Sequence, residues 1–190
     1  MKLIETGIKD LYIIEPRVFG DDRGYFSPYY IEPKLKEIGF MGVKQANRSK
    51  SSKGVVRGLH YQIDPKCQAK IVEVLKGSVV DVVVDIRKDS KTYGKSFWVL
   101  LTDNNNRQLY VPRGFAHGFV SLEDDTIFHY LVDNDYAPEM EGGILWNDPD
   151  LGIDWEGMFM EYGIDNPITS EKDSKHLTLK KSPSYFKYNK

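Results

Sequence analysis

The chain has 190 residues, long enough for one domain with a sizeable buried core. Its 26 Lys+Arg against 28 Asp+Glu leave a formal net charge of -2, which argues against a general nucleic-acid or membrane-surface binder, for which a basic excess is expected. The single cysteine, Cys67, excludes an internal disulfide, and no apolar run suits a signal-peptide core or a bilayer span, so a cytoplasmic soluble protein is the expected class.

In chain order, Leu11 to Glu15 reads as a strand closed by Pro16, and Asp21 to Gly24 as a turn. Glu32 to Gly39 reads as a short helix with Gly39 as its stop. Arg57 to Gln62 reads as extended. Strands follow over Ala69–Leu75, Val79–Ile86, Ser96–Thr102, Arg107–Val111, Gly118–Leu122 and Thr126–Val132. Lys76-Gly77, Asp103 to Asn106 and Glu123 to Asp125 read as hairpin connections. The tail beyond Asn147, rich in Gly, Pro and Asp, reads as irregular chain packed over the strands. Short, evenly spaced strands with tight turns predict a mainly β fold, an antiparallel sandwich or barrel with few helices, as one domain over 1–190. Such a fold lets inward polar side chains from several strands meet in one mouth.

The chemistry-bearing residues concentrate between Arg57 and Lys70. His60 is the best candidate base, because a neutral imidazole titrates near the operating pH. Alternation puts His60 and Gln62 on one strand face. Lys70 stands in an apolar strand, sharing a face with Val72 and Val74; it reads either as a lysine snorkelling to water or as an ammonium for an enolate oxygen. Arg57 supplies a guanidinium that suits phosphate. Tyr130 alternates with Phe128 and Val132 and could act as a general acid; Tyr136 could stack on a flat base. Asp81 and Asp85 share a face with Val83 and could each orient an imidazole. Asp173 ends Ser170-Glu171-Lys172-Asp173, a capping-type turn.

The stretch Pro112-Arg113-Gly114-Phe115-Ala116-His117 resembles the second motif of the cupin barrels, whose histidine is a ligand in the metal-binding members. Their first motif supplies His-x-His and a following Glu. Here that place reads His60-Tyr61-Gln62, the next stretch offers only Asp64, and Lys70 would repel a cation. A cupin-like jelly roll without a metal is therefore expected.

Taken as an ordered set, several segments resemble the dTDP-4-dehydrorhamnose 3,5-epimerase family. They are Asp22 to Phe26, Gln45-Ala46-Asn47, Arg57 to Gln62, Asp81 to Arg87, Pro112 to Phe119, Tyr136 to Glu139, Trp146 to Trp155 and Ser170 to Asp173. The resemblance implies an isomerase without cofactor or metal. It would convert dTDP-4-dehydro-6-deoxy-D-glucose to dTDP-4-dehydro-L-rhamnose in dTDP-L-rhamnose biosynthesis. By resemblance His60 is the base, Lys70 stabilises the C4 enolate, Tyr130 returns the proton from the opposite face, and Asp173 holds the imidazole. Arg23, Gln45, Asn47, Arg57, His117, Glu141 and Lys172 match positions that contact the nucleotide sugar, and Tyr136 matches the aromatic that stacks on thymine. The family forms a homodimer by sheet exchange, and some nucleotide contacts cross its interface. Two positions depart from the pattern: Pro28 where the family usually has Glu, and Ala46 where it often has Asp. Other readings of the chain are a single-centre epimerase or ketoisomerase of another nucleotide-deoxysugar pathway, a metal cupin, and a non-catalytic nucleotide-sugar-binding domain.

Overall fold

A computed structural model describes residues 1–188; the last two positions of the 1–190 domain reading lie outside the described residues. The strands are β1 (Lys2–Glu5), β2 (Tyr12–Glu15), β3 (Phe19–Asp21), β4 (Gly24–Phe26), β5 (Gln45–Ser51), β6 (Val56–Gln62), β7 (Lys70–Lys76) and β8 (Ser78–Asp85). They continue as β9 (Arg87–Lys88), β10 (Ser96–Thr102), β11 (Gln108–Val111), β12 (Phe115–Ser121), β13 (Thr126–Val132), β14 (Glu141–Gly143) and β15 (Phe186–Lys187). The helices are α1 (Glu32–Glu37), α2 (Trp155–Glu161) and α3 (Glu171–Ser174).

Two antiparallel sheets carry the fold. The larger has the order β1-β2-β11-β7-β13-β5 and the smaller β10-β8-β12-β6-β14. They make a jelly-roll sandwich rather than a closed barrel, as each keeps its own edge strands among the described residues. Period-2 alternation then sorts the side chains. Val72, Val74, Val79, Val83, Leu101, Leu109, Phe119 and Phe128 fill the space between the sheets. The opposite face of β8, with Val80, Val82 and Val84, packs under Trp146, Leu151, Trp155 and Met158. The outer face of the larger sheet, with Ile14, Ile71, Tyr110 and Leu131, is covered by Leu35 and Phe40 around α1.

The expected tail is a correction. Beyond Asn147 the chain forms α2 and α3. Asp154 caps α2 by accepting from Gly157 N at 2.9 Å, and Ser170 caps α3 by accepting from Asp173 N at 3.0 Å. The strand expected from Gly118 starts earlier, at Phe115, so His117 sits inside β12. The Asp21–Gly24 turn is the tip of a β3–β4 hairpin.

One irregularity decides where the functional face lies. β6 pairs with β12 at His60↔His117 and at Arg57↔Phe119, so β6 carries an extra residue between the two pairings. That is a β-bulge. In a regular strand Arg57 and His60 would face opposite ways; the bulge turns both into the space between the sheets while Val56 and Leu59 stay in the opposite core. Gly58 makes the bulge possible. Its φ is +125°, and a Cβ there would lie 2.6 Å from Gly118 Cα. Gly58→Ala is therefore expected to cost more than about 2 kcal/mol, since neither the conformation nor the backbone contact can relax cheaply. Urea unfolding of the variant against the parent measures this; an unchanged midpoint would remove the bulge from the argument.

Candidate active site

The mouth of the sandwich holds two adjoining cavities. The larger, about 540 Å³, is lined by Arg57, His60, Lys70, His117, Tyr130, Lys172 and Asp173, among others. The smaller, about 310 Å³, is lined by Gln45, Asn47, Gln62, Tyr136 and Glu141. His60, Lys70 and Tyr130 line both, so they stand where the two meet.

His60 comes from β6 on the smaller sheet. Its Nε2 lies 2.7 Å from Asp173 Oδ1, and Asp173 Oδ2 accepts from Gly58 N at 3.2 Å. Burial would raise the Asp173 carboxyl, but the hydrogen bonds from His60 and Gly58 reverse this and hold it below the ordinary carboxylate value. An ionised carboxylate only accepts, so His60 Nε2 carries the proton and Nδ1 is the nitrogen left to take another. α3 is held in place from both sides. Ile168 exchanges backbone bonds with Gly54 and Val56 at 2.8 Å each, and Leu145 N donates to Leu177 O at 2.9 Å.

Lys70 and Tyr130 come from β7 and β13 on the facing sheet, so the ammonium and the phenol look at the imidazole across the cavity. Loss of water lowers the Lys70 pKa to about 8, against the pull of Asp81 and Glu141. Tyr130 is raised, chiefly by burial and against the nearby Arg57, so it stays a phenol at neutral pH. On β12, His117 Nε2 lies 3.0 and 2.9 Å from the two oxygens of Asp81. Burial raises Asp81, opposed by His117 and then Lys70. Asp85, the other aspartate expected to orient an imidazole, does not: its oxygens take the Arg87 guanidinium, Ser90 and Thr92.

Around the smaller cavity, Gln45 Nε2 donates to Asn47 Oδ1 at 2.6 Å. Glu141 Oε2 accepts from the Tyr136 hydroxyl at 3.0 Å and from Lys172 Nζ at 2.6 Å. Burial raises Glu141, but these two bonds bring it below its usual value. Arg57 donates to Ser51 Oγ at 3.2 Å and to Lys50 O at 3.4 Å and lines the cavity. Gln62 shares the face with His60, but its amide is spent on Lys66 O, Asp135 O and Ala137 N. Arg23 is the exception: it lies on the exposed β3–β4 hairpin, paired with Asp21, and lines neither cavity.

The cupin ligand positions do not converge as a metal centre. His117 is tied to Asp81, Gln62 to backbone, and Asp64 Oδ1 accepts from Cys67 Sγ at 2.7 Å. Burial pushes the Cys67 thiol up to about 11, which makes it a poor nucleophile. Sequence reasoning missed Ser49, Thr169 and Ser170 in the cavity wall, and His176, whose ring meets His60 edge-on with centroids 5.9 Å apart.

The model of the family described as dTDP-4-dehydrorhamnose 3,5-epimerase matches residues 5–181. The chain belongs to that family. A dTDP-4-dehydrorhamnose 3,5-epimerase of Shigella flexneri is 46% identical over 175 residues, covering 91% of this chain and 93% of the relative. Among solved structures, the dTDP-4-dehydrorhamnose 3,5-epimerase of Elizabethkingia anophelis superposes with a TM-score of 0.87 at 48% identity, covering 95% of this chain and 97% of the other. The dTDP-6-deoxy-D-glucose-3,5-epimerase of Legionella pneumophila, solved with dTDP-4-keto-L-rhamnose, superposes with a TM-score of 0.90 at 39% identity, covering 100% of this chain and 99% of the other.

Lys70 gives a stability test of the site. Its folded pKa of about 8 lies below the ordinary 10.5, so between these values the unfolded chain binds more protons and stability rises with pH. Below about pH 8 the cost of keeping a desolvated ammonium is fully present. Lys70→Met removes that cost, which is already net of the attraction to Asp81 and Glu141, for a gain of up to about 3 kcal/mol at neutral pH. The gap to the parent closes as pH rises toward 10.5. Denaturant titrations across pH check both size and trend; a variant less stable at pH 7 would contradict the desolvated ammonium.

Proposed function

We propose that the protein epimerises C3 and C5 of dTDP-4-dehydro-6-deoxy-D-glucose, giving dTDP-4-dehydro-L-rhamnose, with no cofactor or metal. One observation carries the mechanism: the base and the acid stand on opposite sheets of one cavity, with an ammonium beside them. The C4 ketone acidifies the protons on both neighbouring carbons. His60 Nδ1 removes one, and Asp173 stabilises the imidazolium that results. The charge moves to the C4 oxygen, where Lys70 holds it. Tyr130 then delivers a proton to the other face of the ring, which inverts the carbon.

The remaining side chains sort by chemistry. Arg57 and Lys172 meet the diphosphate, and the guanidinium fork can bond two oxygens at once. Tyr136 stacks on thymine above Gln45, Asn47 and Glu141. His117, fixed by Asp81, faces the sugar or its phosphate. We read the protein as a single-domain cytoplasmic homodimer. The β3–β4 hairpin presents Phe19, Tyr25 and Phe26 to solvent beside Arg23. Docking of that hairpin on a second copy would bring Arg23 to the partner's cavity. Neither a nucleic acid nor a membrane has a part in this reading, and no described helix is long and apolar enough to cross a bilayer.

Incubation with dTDP-4-dehydro-6-deoxy-D-glucose in heavy water, read by NMR, tests the assignment. The parent should place deuterium at C3 and C5; exchange at one carbon only would make the protein a single-centre epimerase. His60→Ala should lower turnover by about 10²–10⁴ and abolish exchange at both carbons. Tyr130→Phe should lose inversion but keep exchange, because His60 can return deuterium to the face it came from. Equal loss of exchange in both variants would undo the division of labour.

The rate should also fall as pH rises through about 8, where Lys70 loses its proton. Lys70→Arg, which stays charged throughout, should remove that alkaline limb even at reduced kcat. A limb that persists unchanged in the arginine variant would assign it to another group.

A further inference from the structure

His176 lies three residues past Asp173, just beyond the end of α3, and its place in the fold is not explained by the reaction. Its ring enters the space beside His60 because the strand partner of His60 is Gly143. A Cβ on Gly143 would stand 2.3 Å from His176 Nε2. That nitrogen is buried and has no hydrogen-bond partner among the described residues. Burial, followed by the neighbouring His60, lowers the His176 pKa, so the ring is neutral at neutral pH. A buried, unpartnered polar atom in a well-packed protein calls for an occupant. His176 Nε2 lies 3.9 Å from Asp173 Oδ1, which itself lies 2.7 Å from His60 Nε2. All three atoms lie within 4.8 Å of one another.

We propose that His60, Asp173 and His176 form an inhibitory binding site for Zn²⁺. Two imidazole nitrogens and a carboxylate oxygen are ligands zinc takes readily, and the cavity leaves a fourth position for water. Tetrahedral zinc with bonds near 2.1 Å sets its ligand atoms roughly 3.4 Å apart. The two separations from Asp173 Oδ1, 2.7 and 3.9 Å, bracket that spacing and the third lies within 4.8 Å, so zinc would loosen the His60–Asp173 contact and draw the two imidazoles together. Of the charges beside the cluster, Asp173 is ionised, Lys172 is neutralised by Glu141 at 2.6 Å and Lys175 by Glu171; Lys70 and Arg57 line the same cavity and oppose the metal, which the carboxylate and two imidazoles must outweigh.

The chemistry of inhibition follows from the tautomer. In the active protein the proton of His60 sits on Nε2, facing Asp173, and Nδ1 carries the lone pair. Zinc on Nε2 needs the lone pair there, so the single proton of the neutral ring moves to Nδ1. The base is then capped without any change at Lys70 or Tyr130. The site thus rests on the proposed role of His60 for its consequence, but not for its existence.

Titration calorimetry of chelator-stripped protein with zinc chloride tests binding without substrate. One zinc per chain is expected, with micromolar affinity or tighter. His176→Ala and His176→Gln should each weaken it at least about tenfold, since loss of even an outer-shell partner does so. Crystals soaked in zinc should show the anomalous peak between His60 and His176. Equal affinity in the His176 variants, a peak elsewhere or no binding would overturn the site. In the heavy-water assay with chelator, the His176 variants should exchange at the parent rate; with zinc, the parent should stop and the variants continue, while magnesium leaves both running. Inhibition of parent and variants alike would overturn the proposal. Zinc binding at the cluster in a protein that exchanges nothing even with chelator would instead count against the proposed reaction.

Discussion

The Asp173 carboxylate is the point on which the site depends. One oxygen faces the His60 imidazole and the other takes the Gly58 amide. The first bond fixes the tautomer and orientation of the ring. The second fixes the bulge that turns Arg57 and His60 to the same side of the strand. A carboxylate this buried costs several kcal/mol unless its oxygens are satisfied; here the satisfying groups are a ring and a backbone amide more than a hundred residues away in sequence. The same group therefore sets the chemistry of the base and the shape of the backbone that presents it. The helix that carries Asp173 is only four residues long and could not hold its position alone. The backbone bonds of Ile168 to Gly54 and Val56, and of Leu177 to Leu145 just after β14, hold it.

The two-sheet architecture solves a second constraint. Inversion at carbon needs a base and an acid on opposite faces of one ring, and a single strand cannot point two neighbouring side chains at a target from opposite directions. Facing sheets can. The smaller sheet contributes the imidazoles, the larger the ammonium and the phenol, and the stacked Phe119 and Phe128, 4.2 Å between centroids, close the space below them. That closure removes water from Lys70 and Tyr130, which lowers one pKa and raises the other. The folded state gives up stability at Lys70 to hold an ammonium out of water, which suits the enolate role proposed for it.

The legible part of the sequence was the part whose hydrophobic period was intact. β10 and β13 match the reading residue for residue, and β7, β8 and β11 to within a residue at each end. β5 was missed because its sequence, Gln-Ala-Asn-Arg-Ser-Lys-Ser, has no apolar alternation: its inner face gives Gln45, Asn47 and Ser49 to the cavities. β14 was missed for a related reason, since its glycines make room for Tyr61 and His176. Strands that build a polar site lose the pattern by which strands are recognised. His60, Lys70, Tyr130 and Asp173 were legible through the family resemblance, and the structure brings all of them to one cavity. Their distances in the chain carried no sign of this. Strict alternation would even have separated Arg57 from His60; the bulge is a property of Gly58 meeting Gly118, which no single-strand pattern contains. Arg23 stays outside because it lies on the exposed β3–β4 hairpin, where its guanidinium is paired with Asp21.

One base and one acid must serve two carbons if both are epimerised. C3 and C5 both flank C4 and carry their acidic protons on the same face of the ring, so the ring must shift or flip against His60 between the two transfers while the C4 oxygen stays near Lys70. Serving both centres therefore requires walls that fix the carbonyl and the nucleotide but leave the ring free to turn. The fixed groups here are Lys70, with its short reach inside a strand, and the paired His117–Asp81 and Gln45–Asn47. Lys172 and Tyr136 sit on side chains that are largely exposed, tethered only through Glu141, and can follow a moving ligand. Choice between one centre and two thus resides in how the cavity wall restrains ring rotation. The proposed proton-transfer set is the same for either outcome, and Pro28 and Ala46, at the positions that depart from the family pattern, line neither cavity.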